Sequence, residues 1–182
     1  MLFIGVEARL VDTNEQDINT ANQPGELWLR GPAITQRYWN QPTLSAQAFT
    51  DDWFRTGDIA TRDDEGFYYL VDRKKDMLTS GGENVYPAVI EATIAELSEV
   101  AEVAVVGLPD QQWGEKGVAC IVVVPGKILS EQTVAQHCLE RLAKYKVPKH
   151  ILFFTALPRT PTGKLKKAEL LTQLKDFSET IE

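Results

Sequence analysis

The sequence predicts an α+β fold in two parts: a small antiparallel β subdomain, followed by a compact C-terminal domain whose small β-sheet is flanked by helices. Three observations lead there. As far as Arg73, short alternating or aromatic runs are separated by turn residues, the pattern of strands and hairpins. Beyond residue 74, apolar runs alternate with segments of helical period. Between the two lies a charged run, Asp72 to Asp76, followed by Gly81-Gly82. So dense a set of charges is hard to bury, which places the boundary on the surface and gives units 1–73 and 74–182.

The elements follow in order. Gly5 to Val11 alternates Val6, Ala8 and Leu10 with Glu7 and Arg9, as a half-buried strand does. A polar loop runs to Pro24-Gly25, and Glu26 to Arg30 is a second strand closed by Gly31-Pro32. Tyr38 to Pro42 turns the chain, and Thr43 to Phe49 makes a short helix with Thr43 as its cap. Trp53 to Ala60 is an aromatic strand broken by Gly57-Asp58. The acidic turn Asp63-Asp64-Glu65-Gly66 then leads into Phe67 to Val71 as a hairpin.

In the second part Pro87 opens a helix, where its missing N–H costs nothing, and Ile90, Ile94 and Leu97 follow at helical spacing. Val103 to Leu108 and Gly117 to Val124 are strands. Val134, Cys138, Leu139 and Leu142 mark an amphipathic helix, Ile151 to Leu157 a third strand, and Leu165 to Leu174 a closing helix. The order is α-β-β-α-β-α.

Composition narrows the function classes. The chain has 182 residues, 43% hydrophobic residues and four tryptophans, enough for a real core. A net charge of -7 argues against nucleic-acid binding through bulk positive charge, although Lys144 to Lys167 is locally basic. Cys120 and Cys138 lack metal-ligand spacing and read as small apolar side chains. No apolar run approaches the roughly 18 residues of a membrane span, and Met1 to Ile4 lacks the basic flank of a signal peptide. The chain reads as soluble and cytoplasmic, with no metal cluster and no Ser-His-Asp or Cys-His set.

Three stretches could carry chemistry. In Thr56-Gly57-Asp58 the carboxylate suits a vicinal diol such as a ribose, and the tripeptide equally suits a hairpin turn. Arg73 offers a fork of donors to the same sugar or its phosphate, or is a surface arginine. Pro158 to Leu165 holds Lys164 on a stiff loop ahead of the last helix. There an ammonium either meets developing phosphate charge or is simply solvated. It is not a Walker A loop, because the first glycine is missing. Trp113, in a turn-rich loop, reads as a lid over the local core.

Taken together, the order of Gly25-Glu26-Leu27-Trp28-Leu29-Arg30-Gly31, Phe54-Arg55-Thr56-Gly57-Asp58, Val71-Asp72-Arg73-Lys74-Lys75-Asp76, Ser80 to Pro87, Lys144-Tyr145-Lys146-Val147-Pro148 and Pro158 to Leu165 resembles the C-terminal part of AMP-forming acyl-CoA synthetases. These belong to the adenylate-forming superfamily. The resemblance implies roles: Asp58 binds the nucleotide ribose, Arg73 contacts the same sugar, and Lys75 is the hinge. Lys164 is the adenylation lysine, and Gly81, Gly82 and Trp113 line the pantetheine tunnel. It implies ATP/AMP, CoA and Mg²⁺ as cofactors, with the Mg²⁺ ligands mostly in a larger N-terminal domain upstream of these motifs. It also implies a carboxylic acid as substrate. Residues 1–73 would be the distal β subdomain of that domain, incomplete here, and 74–182 the mobile C-terminal domain. The expected function is that of a C-terminal fragment of an acid–thiol ligase, inactive alone. Two alternatives stay open: an adenylation domain that loads a carrier protein, and a non-catalytic interaction module that keeps the fold.

Overall fold

Residues 5–178 are described in the computed structural model. The chain divides into two units, Met1–Lys75 and Asp76–Glu182, each with its own sheet.

The first unit contains β1 (Glu7–Val11), β2 (Gly25–Arg30), a short helix α1 (Pro42–Ala48), β3 (Phe49–Thr50), β4 (Trp53–Arg62) and β5 (Tyr68–Arg73). All pairings are antiparallel: β1 with β2, β2 with β4, and both β3 and β5 with β4. Leu10, Val11, Trp28, Ile59 and Ala60 are buried on it. Trp28 is fully buried, with the Arg9 and Arg55 guanidinium carbons 4.8 and 5.1 Å from its ring centre. So arginine, rather than more hydrocarbon, completes this thin core, and cation–π attraction offsets part of the cost of bringing those charges close.

Two expectations change here. Thr43 is not a cap: the helix begins one residue earlier, at Pro42, after Gln41, with no side-chain capping bond. The pyrrolidine ring has helical φ built in and lacks the N–H that a cap would satisfy. Nor is the Trp53 strand broken at Gly57-Asp58. β4 runs through, and the register jumps from Glu26↔Ile59 to Trp28↔Arg55, so that Leu27 alone faces Thr56, Gly57 and Asp58. Gly57, at φ +70°, absorbs the surplus backbone as a bulge, and the Thr56 hydroxyl donates to the Leu27 carbonyl at 2.7 Å in place of the ladder.

The second unit follows a 3-10 turn at Lys74–Asp76. Its elements are β6 (Leu78–Ser80), β7 (Glu83–Val85), α2 (Pro87–Ile94), β8 (Val100–Asp110), β9 (Gly114–Val123), α3 (Glu131–Arg141), β10 (His150–Phe154) and α4 (Lys167–Ser178). β9 is central, antiparallel to β8 and parallel to β10, while the β6–β7 hairpin joins at Ser80↔Gly114. The β6–β7 hairpin is absent from the expected α-β-β-α-β-α order. The third strand also ends sooner, at Phe154, leaving Leu157 buried beyond it. The closing helix starts at Lys167, because Leu165 is bridged to Arg159 instead.

Strand alternation sorts the core into two layers. Val105, Ala119, Ile121 and Ile151 face Ile90, Ile94, Val134 and Cys138 of α2 and α3. Ala104, Val106, Leu108, Val118 and Cys120 face Leu170 and Leu174 of α4. Because both faces are covered, β8 and β9 read as continuous apolar runs rather than alternating ones. The two cysteines lie in opposite layers, both buried and free. Burial pushes the Cys120 thiol up to about 12. No helix among the described residues is long and apolar enough to cross a membrane.

Candidate functional site

In the first unit the bulge aims Asp58. Its N–H donates to the Thr56 hydroxyl at 3.0 Å, which locks the turn of backbone through Gly57. Asp58 pairs across the ladder with Arg73, and the Arg73 Nε lies 2.8 Å from the carboxylate. The carboxylate is largely sheltered and the guanidinium more than half exposed. An anionic acceptor thus sits beside a fork of donors, a combination that suits two adjacent hydroxyls. The next residues are tethered as well: the Lys74 ammonium is 2.9 Å from the buried Glu26 carboxylate, while Lys75 is exposed.

In the second unit the two glycines occupy the tip of the β6–β7 hairpin, with Ser80 paired to Glu83. Gly81 and Gly82 take φ +61° and +84°, as a two-residue primed turn demands. The Gly81 N–H donates to the Trp113 carbonyl at 2.9 Å, and a β-carbon on Gly81 would come within 3.0 Å of the indole. A β-carbon on Gly82 would meet no atom within 4 Å. Trp113 is itself built by Asp110, whose carboxylate accepts from the Gln112 and Trp113 N–H groups at 2.9 and 2.8 Å. The Trp113 bond, above all, holds the Asp110 carboxyl below its usual range. Lys149 lies over the indole, 5.0 Å from its centre. Trp113 is therefore a wall against Gly81, more than a third exposed, and not a lid closed over the core.

Lys164 follows a tight turn. Gly163 N–H donates to the Thr160 carbonyl at 2.9 Å, with Pro161 at the second turn position and Gly163 at φ +84°. Thr160 N–H meets the Lys164 carbonyl at 2.8 Å, and Lys164 N–H meets the Thr160 hydroxyl at 3.0 Å. Both main-chain groups of Lys164 are thereby held, and its exposed ammonium has no ion-pair partner among the described residues. Sequence reasoning missed what anchors this turn. Arg159 donates to Glu102 of β8 through Nε at 3.2 Å and Nη2 at 2.7 Å, and to the Gly163 carbonyl through Nη1 at 2.6 Å. On the far side Lys167 meets Glu91 at 2.9 Å, and Glu91 also accepts the Val105 N–H. Contacts over such separations leave no local pattern to read.

The two loops of this unit hang from opposite ends of one strand. The lysine turn is tied to Glu102, near the start of β8, and the glycine turn to the Asp110–Gly114 end. At about 3.4 Å per residue, Glu102 and Asp110 lie roughly 27 Å apart. Among the described residues no group of three His, Cys, Asp or Glu is placed to hold a metal ion.

Residues 89–164 match the model of the AMP-binding enzyme C-terminal domain family. Among curated proteins, the chain is 50% identical over 157 residues to the long-chain-fatty-acid–CoA ligase FadD13 of Mycobacterium tuberculosis, covering 86% of this chain and 30% of that protein. It is 43% identical over 173 residues to the indoleacetate–CoA ligase of Aromatoleum aromaticum, covering 94% and 34%. It thus spans about a third of the length of these relatives. Among solved structures, ATP-bound MatB from Rhodopseudomonas palustris superposes with a TM-score of 0.86 at 34% identity, over 95% of this chain and 35% of that one. The o-succinylbenzoate CoA synthetase MenE of Bacillus subtilis, in complex with its acyl-adenylate OSB-AMP, gives 0.84 at 34%, over 92% and 34%.

Proposed function

From the membership of residues 89–164 in the AMP-binding enzyme C-terminal domain family, we propose that this chain is the C-terminal working part of an AMP-forming acid–thiol ligase. The overall reaction joins a carboxylic acid to CoA at the expense of ATP, which becomes AMP and diphosphate. The observation that carries the reading is the separation, along one sheet, of a turn whose Lys164 ammonium has no ion-pair partner among the described residues from an open glycine turn. Two chemical steps with different needs are served by two different ends of the same unit.

Asp58 and Arg73 hold the nucleotide ribose, the carboxylate accepting from its hydroxyls and the guanidinium donating. In the first step the acid attacks the α-phosphorus of ATP. Lys164, its main chain fixed by Thr160, keeps its ammonium where the carboxylate and α-phosphate charges meet, so that little reorganisation is left to the transition state. In the second step the CoA thiol attacks the acyl-adenylate. Gly82 leaves room for the pantetheine arm, with Gly81 and Trp113 as its wall. Lys75, exposed directly after the tethered Lys74, is the hinge that exchanges one presentation for the other. Asp58, Arg73 and Gly82 fit ATP and CoA; among the described residues no group of three or more His, Cys, Asp or Glu is placed to hold Mg²⁺.

The test is a chimera in which this chain replaces the matching third of FadD13. Lys164→Ala should lower acyl-adenylate formation at least about 100-fold and leave conversion of supplied acyl-adenylate to thioester intact. Equal loss of both steps, or a chimera inactive with every residue native, overturns the reading.

A further inference from the structure

We propose that Arg159 and Glu102 form a positioning pair for Lys164, setting where its ammonium stands without touching the reactants; the inference rests on the reading of Lys164 given above. Arg159 uses all three faces of its guanidinium. Nε and Nη2 converge on Glu102 Oε2 at 3.2 and 2.7 Å, while Nη1 turns inward to the Gly163 carbonyl at 2.6 Å. Gly163 immediately precedes Lys164, and the Arg159↔Leu165 bridge closes the base of the same turn. The planar guanidinium therefore holds the Gly163 carbonyl at the end of the turn and connects it to β8, while the backbone bridge closes the foot.

The ladder of β8 against β9 shifts register between Val100 and Glu102 and then runs without interruption from Glu102↔Val122 to Asp110↔Gly114, so Glu102 is the first post of its regular part. Thr160 secures Lys164 to its own turn, but its bonds stay within the loop and cannot orient the loop on the domain. Arg159 supplies that orientation from one side and the Lys167–Glu91 pair from the other. A lysine at 159 keeps the charge but has no planar fork able to meet Glu102 and Gly163 together.

The pair is not a device for stability. The side chains of Arg159 and Glu102 are 44% and 36% exposed, and ion pairs in that range contribute little to folding. A displacement of about 1 Å at a reacting group, in contrast, lowers a rate by about 100-fold. Stability and adenylation should therefore respond very differently to the same substitution.

The experiment uses the chimera with Arg159→Ala, Arg159→Lys, Glu102→Gln and the Arg159→Ala/Glu102→Gln double variant, with Lys164→Ala as reference. Arg159→Ala should slow acyl-adenylate formation by about 30- to 100-fold. Arg159→Lys and Glu102→Gln should each slow it by about 10-fold, the double variant being no slower than Arg159→Ala. Thioester formation from supplied acyl-adenylate and KM for ATP should stay within about 2-fold, and the melting temperature within about 2 °C. If Lys164→Ala fails to adenylate while the pair variants match the native rate, this inference falls and the ligase reading stands. If both steps and the melting temperature fall together, the pair is a structural tie only and the inference is overturned. If Lys164→Ala adenylates normally, the reading falls and takes the inference with it.

Discussion

At Gly81 and Gly82 the same residue type answers two different demands. Both sit at positive φ, where an L side chain costs about 1–2 kcal/mol. At Gly81 a β-carbon would also press on the Trp113 ring at 3.0 Å, whereas at Gly82 it would enter open space. Gly81→Ala should therefore lower the unfolding free energy by about 2 kcal/mol or more, and Gly82→Ala by about 1 kcal/mol. Urea denaturation of the two variants side by side measures the difference. A greater loss for Gly82→Ala would mean that the indole does not wall the turn. Two adjacent glycines are visible in the sequence, but the asymmetry between them is not: it comes from Trp113, far along the chain.

The β4–β5 hairpin shows how an element can be legible and still hold something back. Its acidic turn marks it, yet the sequence does not say which acid organises it. Asp63 accepts from the Glu65 and Phe67 N–H groups at 3.0 and 2.8 Å and from the Tyr69 hydroxyl at 2.8 Å. Donation from Phe67 is the largest of the effects that hold its carboxyl below the usual range. A depressed carboxyl stabilises the fold above its unfolded value, about 3.9, and that contribution disappears as pH falls through the lower folded value. Native protein and Asp63→Asn should thus differ in melting temperature at pH 6 and converge as pH drops below about 4. A gap unchanged from pH 6 to pH 3 would remove the ionised carboxylate from the account. The β6–β7 hairpin is the opposite case. Strands as short as Leu78–Ser80 and Glu83–Val85 cannot display a period, so the glycines between them read only as part of the surface boundary between the two units. Likewise Gly57-Asp58 reads as a break, because a bulge and a turn call for the same residues.

Across the whole molecule, the strands β8 and β9 and the motifs carrying Asp58, Arg73 and Lys164 are legible because they are local. The Arg159–Glu102 tie is not, because its partners lie 57 residues apart. What only the folded chain reveals is that the lysine turn and the glycine turn are tied to opposite ends of β8, whose Glu102 and Asp110 lie roughly 27 Å apart along the strand. On the proposed reading, one sheet cannot bring both ends to the same reacting phosphate, so the two steps should depend on different ends of the unit. Gly82→Leu tests this from the side that Lys164→Ala leaves untouched. In the chimera, acyl-adenylate formation should stay within about 2-fold, because the lysine turn is tied to Glu102 while the β6–β7 hairpin joins the sheet at Ser80↔Gly114. Thioester formation should fall by at least about 100-fold, because a branched side chain at φ +84° fills the open space that the proposed reading gives to the pantetheine arm. Melting measured alongside separates this from strain, which Gly82→Ala reproduces without the bulk. If Gly82→Leu forms thioester at the native rate, the arm passes elsewhere. If it loses adenylation to the same degree, the two ends are not independent.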